Sequence, residues 1–545
     1  MIDGEQACWF TEMYGFSLRP RSPFWLSAPC LALASSVASC AASLPPEAPL
    51  SRSGAPWQYE VVVDDGAREL RVEVAFPPGT LGDLDVMRGA APFLADVEAV
   101  QHGRWRRVAR DTGDDNESRD HVSAWRVPEC AAGCRVRYRV KLRDAARALG
   151  DIDSARRFDD VTIARPSMWM LHPTFARRGA RYRVHVTTPP GTSFVSGIFP
   201  ADDGPENTYE GEASLLRTAA YTAFGPLEVH RVDFAGADLL VAMQPGVVAL
   251  SDAKLAEWVV SSARSVGAYF GCFPVARVSV VLVAAEGDDV QRGHALGDGG
   301  AGIVVEVGKT ASEAALKADW VLTHEMVHLG FPSVDRQHHW LEEGVATYVQ
   351  KIAQARAGGL PADRVWSQLA RGLPKGLPRA NDLGLDHTPT WARTYWGGAL
   401  FCFVADFEIR RRTGNRHSLD DALRAIVVAG GNISVEWDIA KTLETGDRAV
   451  GVPVLRELYA KMANRAVSVN LADYWRSLGV ASHGASIALD DDAPLASLRR
   501  SITAPPPPPP PPPLPSDAAN GSASHDVAAC PVEASPSTRL ARHRR

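Results

Sequence analysis

The stretch from His324 to Val349, HEMVHLGFPSVDRQHHWLEEGVATYV, limits the possible folds more than any other part of this chain. Residues four apart share one face of a helix, so His324 and His328 can direct two imidazoles at one point. Gly330 and Pro332 end this helix, and WLEEGVATYV begins a second helix after a polar connection. The sequence therefore predicts two neighbouring helices packed around whatever the imidazoles bind.

Two imidazoles at this spacing are typical of a zinc site. Glu325 lies one residue round the helix, beside the metal, where it can take a proton from a water that the metal activates. Glu342 or Glu343 can supply a third ligand and leave one position open. The alternative is a buried helix with two satisfied histidines, but buried ionisable side chains are costly without a partner, and a metal supplies one.

His-Glu-x-x-His followed by Trp-Leu-x-Glu-Gly-x-Ala-Thr-Tyr resembles the thermolysin-like gluzincin zinc peptidases of the alanyl- and glycyl-aminopeptidase (peptidase MA-like) type. In that pattern the glutamate before glycine is the third ligand, which implies that His324, His328 and Glu343 hold the zinc. Thr347, four residues further on, is then expected to support the ligands. The resemblance also implies that Tyr395, in RTYWGGALF, stabilises an oxyanion; the alternative is a core tyrosine at a helix start.

The resemblance implies a zinc metallopeptidase with one Zn²⁺ per chain, acting on a peptide or protein substrate with Glu325 as general base. The chain departs from the family pattern twice. The connection between His328 and Glu343 is shorter, and the upstream Gly-x-Met-Glu-Asn strand is replaced by GHALGDGGAGIVVEVG, which lacks the amine-binding glutamate. Aminopeptidase and endopeptidase activity therefore both remain open. His338 and His339 either line the cleft or lie in a polar surface turn.

Two other functions remain open on the same motifs. One is a non-catalytic, zinc-stabilised envelope lipoprotein that acts as a binding scaffold, and the other is a zinc hydrolase acting on a non-peptide bond. A structural zinc site has no use for Glu325 or for an open coordination position, which favours catalysis.

A chain of 545 residues exceeds a single core, and its patterns predict a multidomain α+β protein. Alternating segments such as YEVVVDD and ELRVEVAF predict strands, and segments such as YWGGALFCFVADFEIRRRTG predict helices. The helix that carries the histidines is expected over about Ser312 to Leu329. The predicted parts are a leader at 1–40, an all-β domain at 56–243, a thermolysin-like α+β catalytic domain at 244–361, a helical domain at 362–485 and a disordered proline-rich tail at 500–545.

The N-terminal segment has the sequence pattern of an export signal. Arg19 and Arg21 precede a short apolar run that ends in Val-Ala-Ser-Cys at Cys40, which resembles a bacterial lipobox and implies a lipid on that cysteine. We expect a lipid-anchored protein of the bacterial cell envelope that faces the periplasm, with Met13 as an alternative start. An ordinary secretory leader and an uncleaved anchor are the other possibilities.

Cys130 and Cys134 flank a tight turn before a predicted strand. In an oxidising compartment this spacing favours a disulfide, and the alternative, half of a zinc site, has no second Cys/His pair nearby. The 58 Lys and Arg residues against 64 Asp and Glu residues give a net charge of −6, which offers no basis for nucleic-acid binding.

Overall fold

A computed structural model describes residues 54–111, 125–246, 248–483 and 486–505. The described residues belong to one compact unit that begins at Gly54. The predicted leader with Cys40 and the tail beyond residue 505 lie outside the described residues. Among the helices of the described ranges, none is both long and apolar enough to cross a membrane.

The first part of the unit is rich in strands, because apolar and polar residues alternate along it and so create one buried and one exposed sheet face. Strand Trp57–Val63, for example, alternates strictly between buried and exposed side chains. The strands in chain order are β1 (Trp57–Val63), β2 (Leu70–Phe76), β3 (Asp83–Asp85), β4 (Leu94–Gln101), β5 (Arg104–Arg107), β6 (Trp125–Arg126), β7 (Cys134–Val140), β8 (Ala155–Phe158), β9 (Val161–Ala164), β10 (His172–Pro173), β11 (Arg181–Thr187), β12 (Ser193–Ser196), β13 (Thr208–Glu212) and β14 (Thr222–Gly225).

These strands form a seven-stranded sheet in the order β13-β11-β1-β2-β7-β4-β5, a three-stranded sheet in the order β10-β3-β6 and a four-stranded sheet in the order β12-β14-β9-β8. A disulfide joins Cys130 to Cys134 just before β7. Two short helices, α1 (Leu142–Leu149) and α2 (Pro166–Trp169), interrupt the strands. The region predicted as all-β is therefore β-rich, and it also contains two short helices between its strands.

A mixed five-stranded sheet follows, in the order β15-β16-β17-β19-β18. Its strands are β15 (Glu228–Phe234), β16 (Ala237–Met243), β17 (Arg277–Ala285), β18 (Val290–Leu296) and β19 (Gly302–Gly308), and helix α3 (Asp252–Phe270) connects β16 to β17. Strands β16, β17 and β19 are parallel, and β18 runs antiparallel to β19 at the sheet edge. The domain boundary predicted at 243 therefore falls within one continuous sheet, because β16 pairs with β15 on one side and with β17 on the other.

The rest of the unit is mainly helical and packs onto this sheet through one large apolar core. The helices are α4 (Glu313–Ala318), α5 (Val321–His328), α6 (His339–Arg356), α7 (Ala362–Gly372), α8 (Gly398–Thr413), α9 (Leu419–Val428), α10 (Ile439–Val450), α11 (Val454–Met462), α12 (Leu471–Leu478) and α13 (Ala496–Thr503), with a hairpin of β20 (Val480–His483) and β21 (Ser486–Leu489) before the last helix. The predicted order of a β-rich first part and a helical last part is confirmed. Helix α13 extends into the segment predicted as a disordered tail.

The helix predicted over 312–329 is two helices, α4 and α5, with a break at Asp319 and Trp320. The carboxylate of Asp319 accepts hydrogen bonds from the N–H groups of Val321 at 2.8 Å and Leu322 at 3.1 Å. These two bonds satisfy donors that have no partner within α5, so a new helix begins there instead of α4 continuing.

Candidate metal centre

Helix α5 holds the two histidines of the opening motif in a mostly buried setting. The imidazole rings of His324 and His328 have centroids 5.0 Å apart, as expected for side chains one turn apart on one helix face. His324 is 5% exposed and Glu325 is 7% exposed. Helix α5 therefore presents the two rings and the glutamate in a largely water-excluded space.

Helix α6 brings Glu343 to the two imidazoles. Its Oε2 lies 3.1 Å from Nε2 of His324 and 3.6 Å from Nε2 of His328. One ligand atom from each of the three residues lies within 4.8 Å of the others. The short connection between α5 and α6 is thus long enough to close the three-residue group.

The two adjacent glutamates have different roles in the structure. Glu342 turns away from the two imidazoles of α5: its Oε1 accepts the N–H of Val334 at 2.8 Å, and its Oε2 lies 3.0 Å from Nδ1 of His339. The choice that the residues alone left open therefore resolves in favour of Glu343 as the carboxylate that faces His324 and His328.

The orientation of His324 depends on a residue that the sequence did not single out. The Oε1 atom of Gln350 lies 2.8 Å from Nδ1 of His324, and Gln350 is 3% exposed. An amide oxygen only accepts, so it favours the tautomer with the proton on Nδ1, which leaves Nε2 as the ring atom that can bind a metal. The sequence feature that points to Gln350 is its position two helical turns beyond Glu343, on the same face of α6.

Thr347, which the family resemblance assigned to support of the ligands, lies on α6 and is 6% exposed. Its hydroxyl has no hydrogen-bond partner among the described residues. The contact that orients a ligand comes from Gln350, one turn further along the same helix.

Glu325 lies against the edge strand β18. The backbone N–H of Ala295 donates a hydrogen bond to its carboxylate, and Gly293 passes so close that a Cβ there would lie 2.4 Å from Glu325 Cγ. Burial raises the pKa of Glu325 above its usual range, although the nearby imidazoles of His324 and His328 and the N–H of Ala295 oppose the shift. Glu325 is therefore a carboxylate tuned towards binding a proton.

Tyr395 lies beside the group, on a π-helical turn, Ala392–Gly397, that leads into α8. Its half-buried ring stacks on the His324 ring with centroids 6.2 Å apart and an interplanar angle of 22°, and on Trp391 at 5.8 Å. The structure thus brings Tyr395 to the same site as the histidines. π-Helical turns of this kind occur often at functional sites.

Two glycines explain how Tyr395 comes so close to α6. A Cβ at Gly344 would lie 2.3 Å from the carbonyl carbon of Gly398, and a Cβ at Gly398 would lie 2.0 Å from the backbone oxygen of Trp340. Only hydrogen side chains allow α6 and α8 to cross at this distance. The close packing of α6 against α8 therefore requires glycine at both Gly344 and Gly398.

The charges in the group are strongly coupled. Burial alone would raise the pKa of Glu343, but the nearby imidazoles of His328, His324 and His339 hold that pKa well below its usual range. For His328, burial lowers the pKa, and the carboxylate of Glu343 more than offsets this, so the pKa is raised. The site therefore keeps an ionised carboxylate in a buried position among imidazoles.

His338 and His339 occupy different environments. His338 is 3% exposed, and its Nδ1 lies 3.0 Å from Oδ1 of Asp386. Trp340 and Tyr459 donate hydrogen bonds to the same carboxylate at 2.7 and 2.9 Å. The surface-turn interpretation is thus wrong for His338. His339 has a side chain 31% exposed and lies 3.3 Å from Glu343.

The donors fit a divalent transition metal. Two imidazole nitrogens and one carboxylate oxygen, oriented by a further hydrogen bond to Nδ1 of His324, are the ligand set of catalytic zinc sites. A second group, Glu228, His230 and Asp252, also has ligand atoms within 4.8 Å of one another, but it lies on the surface. The buried group is the one that has a further buried carboxylate, that of Glu325, beside it.

The chain thus has an α+β fold in which two imidazoles and a carboxylate meet beside a further buried glutamate. No protein-family profile and no curated protein matches the chain. Among solved structures, the aminopeptidase N family protein from Idiomarina loihiensis matches at 12% identity over 78% of each chain, with a TM-score of 0.57. The M1 zinc metallopeptidase from Deinococcus radiodurans matches at 16% identity over 77% of this chain and 94% of its own, with a TM-score of 0.48. The predicted resemblance is thus confirmed at the level of the fold.

Proposed function

We propose that the protein is a zinc-dependent metallopeptidase. The observation that carries this proposal is the convergence of His324, His328 and Glu343 within 4.8 Å, with Glu325 next to His324 on the same buried helix. A purely structural metal site does not require a carboxylate whose pKa is raised by burial at its side, whereas hydrolysis does.

His324, His328 and Glu343 would hold one Zn²⁺ per chain. Zinc bound there supplies a Lewis acid that lowers the pKa of a water molecule and polarises a substrate carbonyl. Gln350 keeps the Nε2 lone pair of His324 directed at the metal, and the low pKa of Glu343 keeps this carboxylate ionised at neutral pH.

Glu325 acts as the general base and then as the general acid. Its carboxylate takes the proton of the attacking water and later passes it to the leaving amine. The Ala295 N–H and the Gly293 backbone fix its position, and burial raises its pKa above the usual range of a glutamate. The Tyr395 hydroxyl, at the edge of the site, donates a hydrogen bond to the developing oxyanion.

The edge strand β18 supports a peptide as substrate. It pairs with β19 on one side only, so its other edge can add an extended peptide by backbone hydrogen bonds next to Glu325. The strand VQRGHAL contains no carboxylate, so it offers no side chain that would bind a free α-amine. Cleavage of blocked peptides is therefore compatible with this strand.

The test is a comparison of peptides with free and with acetylated amino termini, using the wild-type protein and Glu325→Gln. We expect zinc-dependent cleavage that is lost in the variant. Cleavage of acetylated peptides indicates an endopeptidase, and cleavage of free peptides alone indicates an aminopeptidase. Absence of cleavage of every peptide by zinc-loaded protein would contradict the proposal and favour a binding scaffold.

We also propose that the protein is exported and carries a lipid on Cys40. The disulfide between Cys130 and Cys134 supports export, because such bonds persist in oxidising compartments. Labelling of cells with a radioactive fatty acid tests the anchor: the label is expected on the wild-type protein and not on Cys40→Ala. A labelled variant would contradict attachment at this cysteine.

A further inference from the structure

His339 is held between two carboxylates at the start of α6. Its Nδ1 lies 3.0 Å from Oε2 of Glu342, three residues on, and its Nε2 lies 3.3 Å from Oε1 of Glu343, four residues on. Residues three and four apart are neighbours on a helix surface, so one imidazole can bridge both side chains. Each nitrogen of the ring therefore faces a carboxylate oxygen.

Glu342 is itself fixed. Its second oxygen, Oε1, accepts the backbone N–H of Val334 at 2.8 Å, in the connection between α5 and α6. The contacts form a continuous series from the backbone of Val334 through Glu342 and His339 to Glu343. His339 therefore contacts Glu343 from a position that the backbone of Val334 fixes through Glu342.

The two oxygens of Glu343 have different partners. Oε1 lies 3.3 Å from His339, whereas Oε2 lies 3.1 Å from His324 and 3.6 Å from His328. A carboxylate whose second oxygen is engaged by a hydrogen bond presents one oxygen to a metal, and the remaining coordination positions stay available for water and substrate.

We propose that His339 is a positioning residue that keeps Glu343 a one-oxygen ligand and so keeps the metal open to substrate. The inference rests on the proposed zinc site. The His339 side chain is 31% exposed, so it is only partly covered by its neighbours. Its hydrogen bonds to Glu342 and Glu343 are the feature that an alanine would remove.

The test uses purified full-length protein loaded with Zn²⁺ or with Co²⁺, whose visible absorption weakens as its coordination number rises. His339→Ala is compared with the wild type, with His339→Gln, which keeps an N–H donor, and with His387→Ala. His387 is an exposed histidine whose Nε2 lies 2.7 Å from Oδ1 of Asn464. It controls for loss of an imidazole away from the metal.

We expect His339→Ala to bind zinc about 10–100-fold more weakly and to show a weaker cobalt spectrum, because both oxygens of Glu343 are then free to bind. His339→Gln should recover part of both properties, and His387→Ala should match the wild type. Wild-type affinity and spectrum in His339→Ala would overturn the inference. Failure of the wild type itself to bind either metal would instead overturn the proposed function, so the two failures are distinguishable.

Discussion

The backbone of Gly293 lies directly against the side chain of Glu325: a Cβ at position 293 would lie 2.4 Å from Cγ and 2.9 Å from Oε1 of this glutamate. Contacts this short do not occur between real side chains, so any substitution must displace either β18 or the proposed general base. The glycine therefore sets the distance between the edge strand and the carboxylate of Glu325.

Gly293→Ala is expected to lower turnover by roughly 10²-fold, since a shift of about 1 Å in a catalytic group costs this much. Zinc content should stay the same, because Gly293 does not contact the ligands. Gly359→Ala is the matched control, as a Cβ there would meet the backbone oxygen of Gln354 at an ordinary 3.4 Å. Wild-type turnover in Gly293→Ala would show that Glu325 does not depend on this contact.

Glu325→Gln is expected to lower kcat by about 10²–10⁴-fold, because the amide cannot take the proton of the attacking water. Zinc per chain should be unchanged, since Glu325 is adjacent to the ligands and not among them. Glu313→Gln, at an exposed position at the start of α4, controls for the loss of one carboxylate. Steady-state kinetics gives kcat, and metal analysis gives zinc per chain. A zinc-loaded Glu325→Gln with wild-type kcat would exclude Glu325 as the general base.

Tyr395→Phe is expected to lower kcat by about 10²–10³-fold with a small effect on KM, because the hydrogen bond to the oxyanion is lost. Phenylalanine keeps the ring that stacks on His324 and Trp391, so the site geometry is preserved. Tyr474→Phe, another half-buried tyrosine, packed against Phe407, is the control. Equal kcat for Tyr395→Phe and the wild type would make Tyr395 a packing residue.

The buried carboxyl group of Asp319 should make the free energy of unfolding depend on pH. Burial raises its pKa from 3.8 to about 6, although two backbone N–H groups oppose the shift. Because the folded-state pKa lies above the unfolded value, the folded state binds the proton more tightly. The stability from this proton is fully present below about pH 4 and is lost as pH rises through about 6, up to roughly 3 kcal/mol.

Urea unfolding of metal-free protein between pH 4 and pH 7 measures this effect. Relative to Asp319→Asn, which keeps one acceptor oxygen and does not titrate, the wild type should gain stability as the pH falls. A constant difference in the free energy of unfolding between the two proteins across this range would show that Asp319 titrates normally.

The helical face that carries His324 and His328 could be predicted from the sequence, because a four-residue spacing fixes which side chains share a face. The strands could be predicted because burial alternates along them. Gln350 and the role of Gly293 could not be predicted, since each depends on a contact between elements distant in the chain. The break before α5 was also missed, because the capping bonds of Asp319 outweighed a continuous helical pattern.

The family resemblance identified Glu343 and Tyr395, while the residues alone left Glu342 and Glu343 equivalent. The structure distinguishes them through Val334, whose N–H holds Glu342 away from the imidazoles of His324 and His328. A hydrogen bond to the backbone of a connecting loop has no signature in the local sequence pattern.

The decisive measurement is the zinc content per chain of purified full-length protein. It is made on the wild type, on Glu343→Ala and on His230→Ala, and it tests whether Glu343 helps to bind a zinc ion. His230 belongs to the surface group with Glu228 and Asp252, so its variant controls for binding at that second cluster. We expect one zinc per chain in the wild type and in His230→Ala, and little zinc in Glu343→Ala. Folded wild-type protein without zinc, or equal zinc in Glu343→Ala, would contradict it.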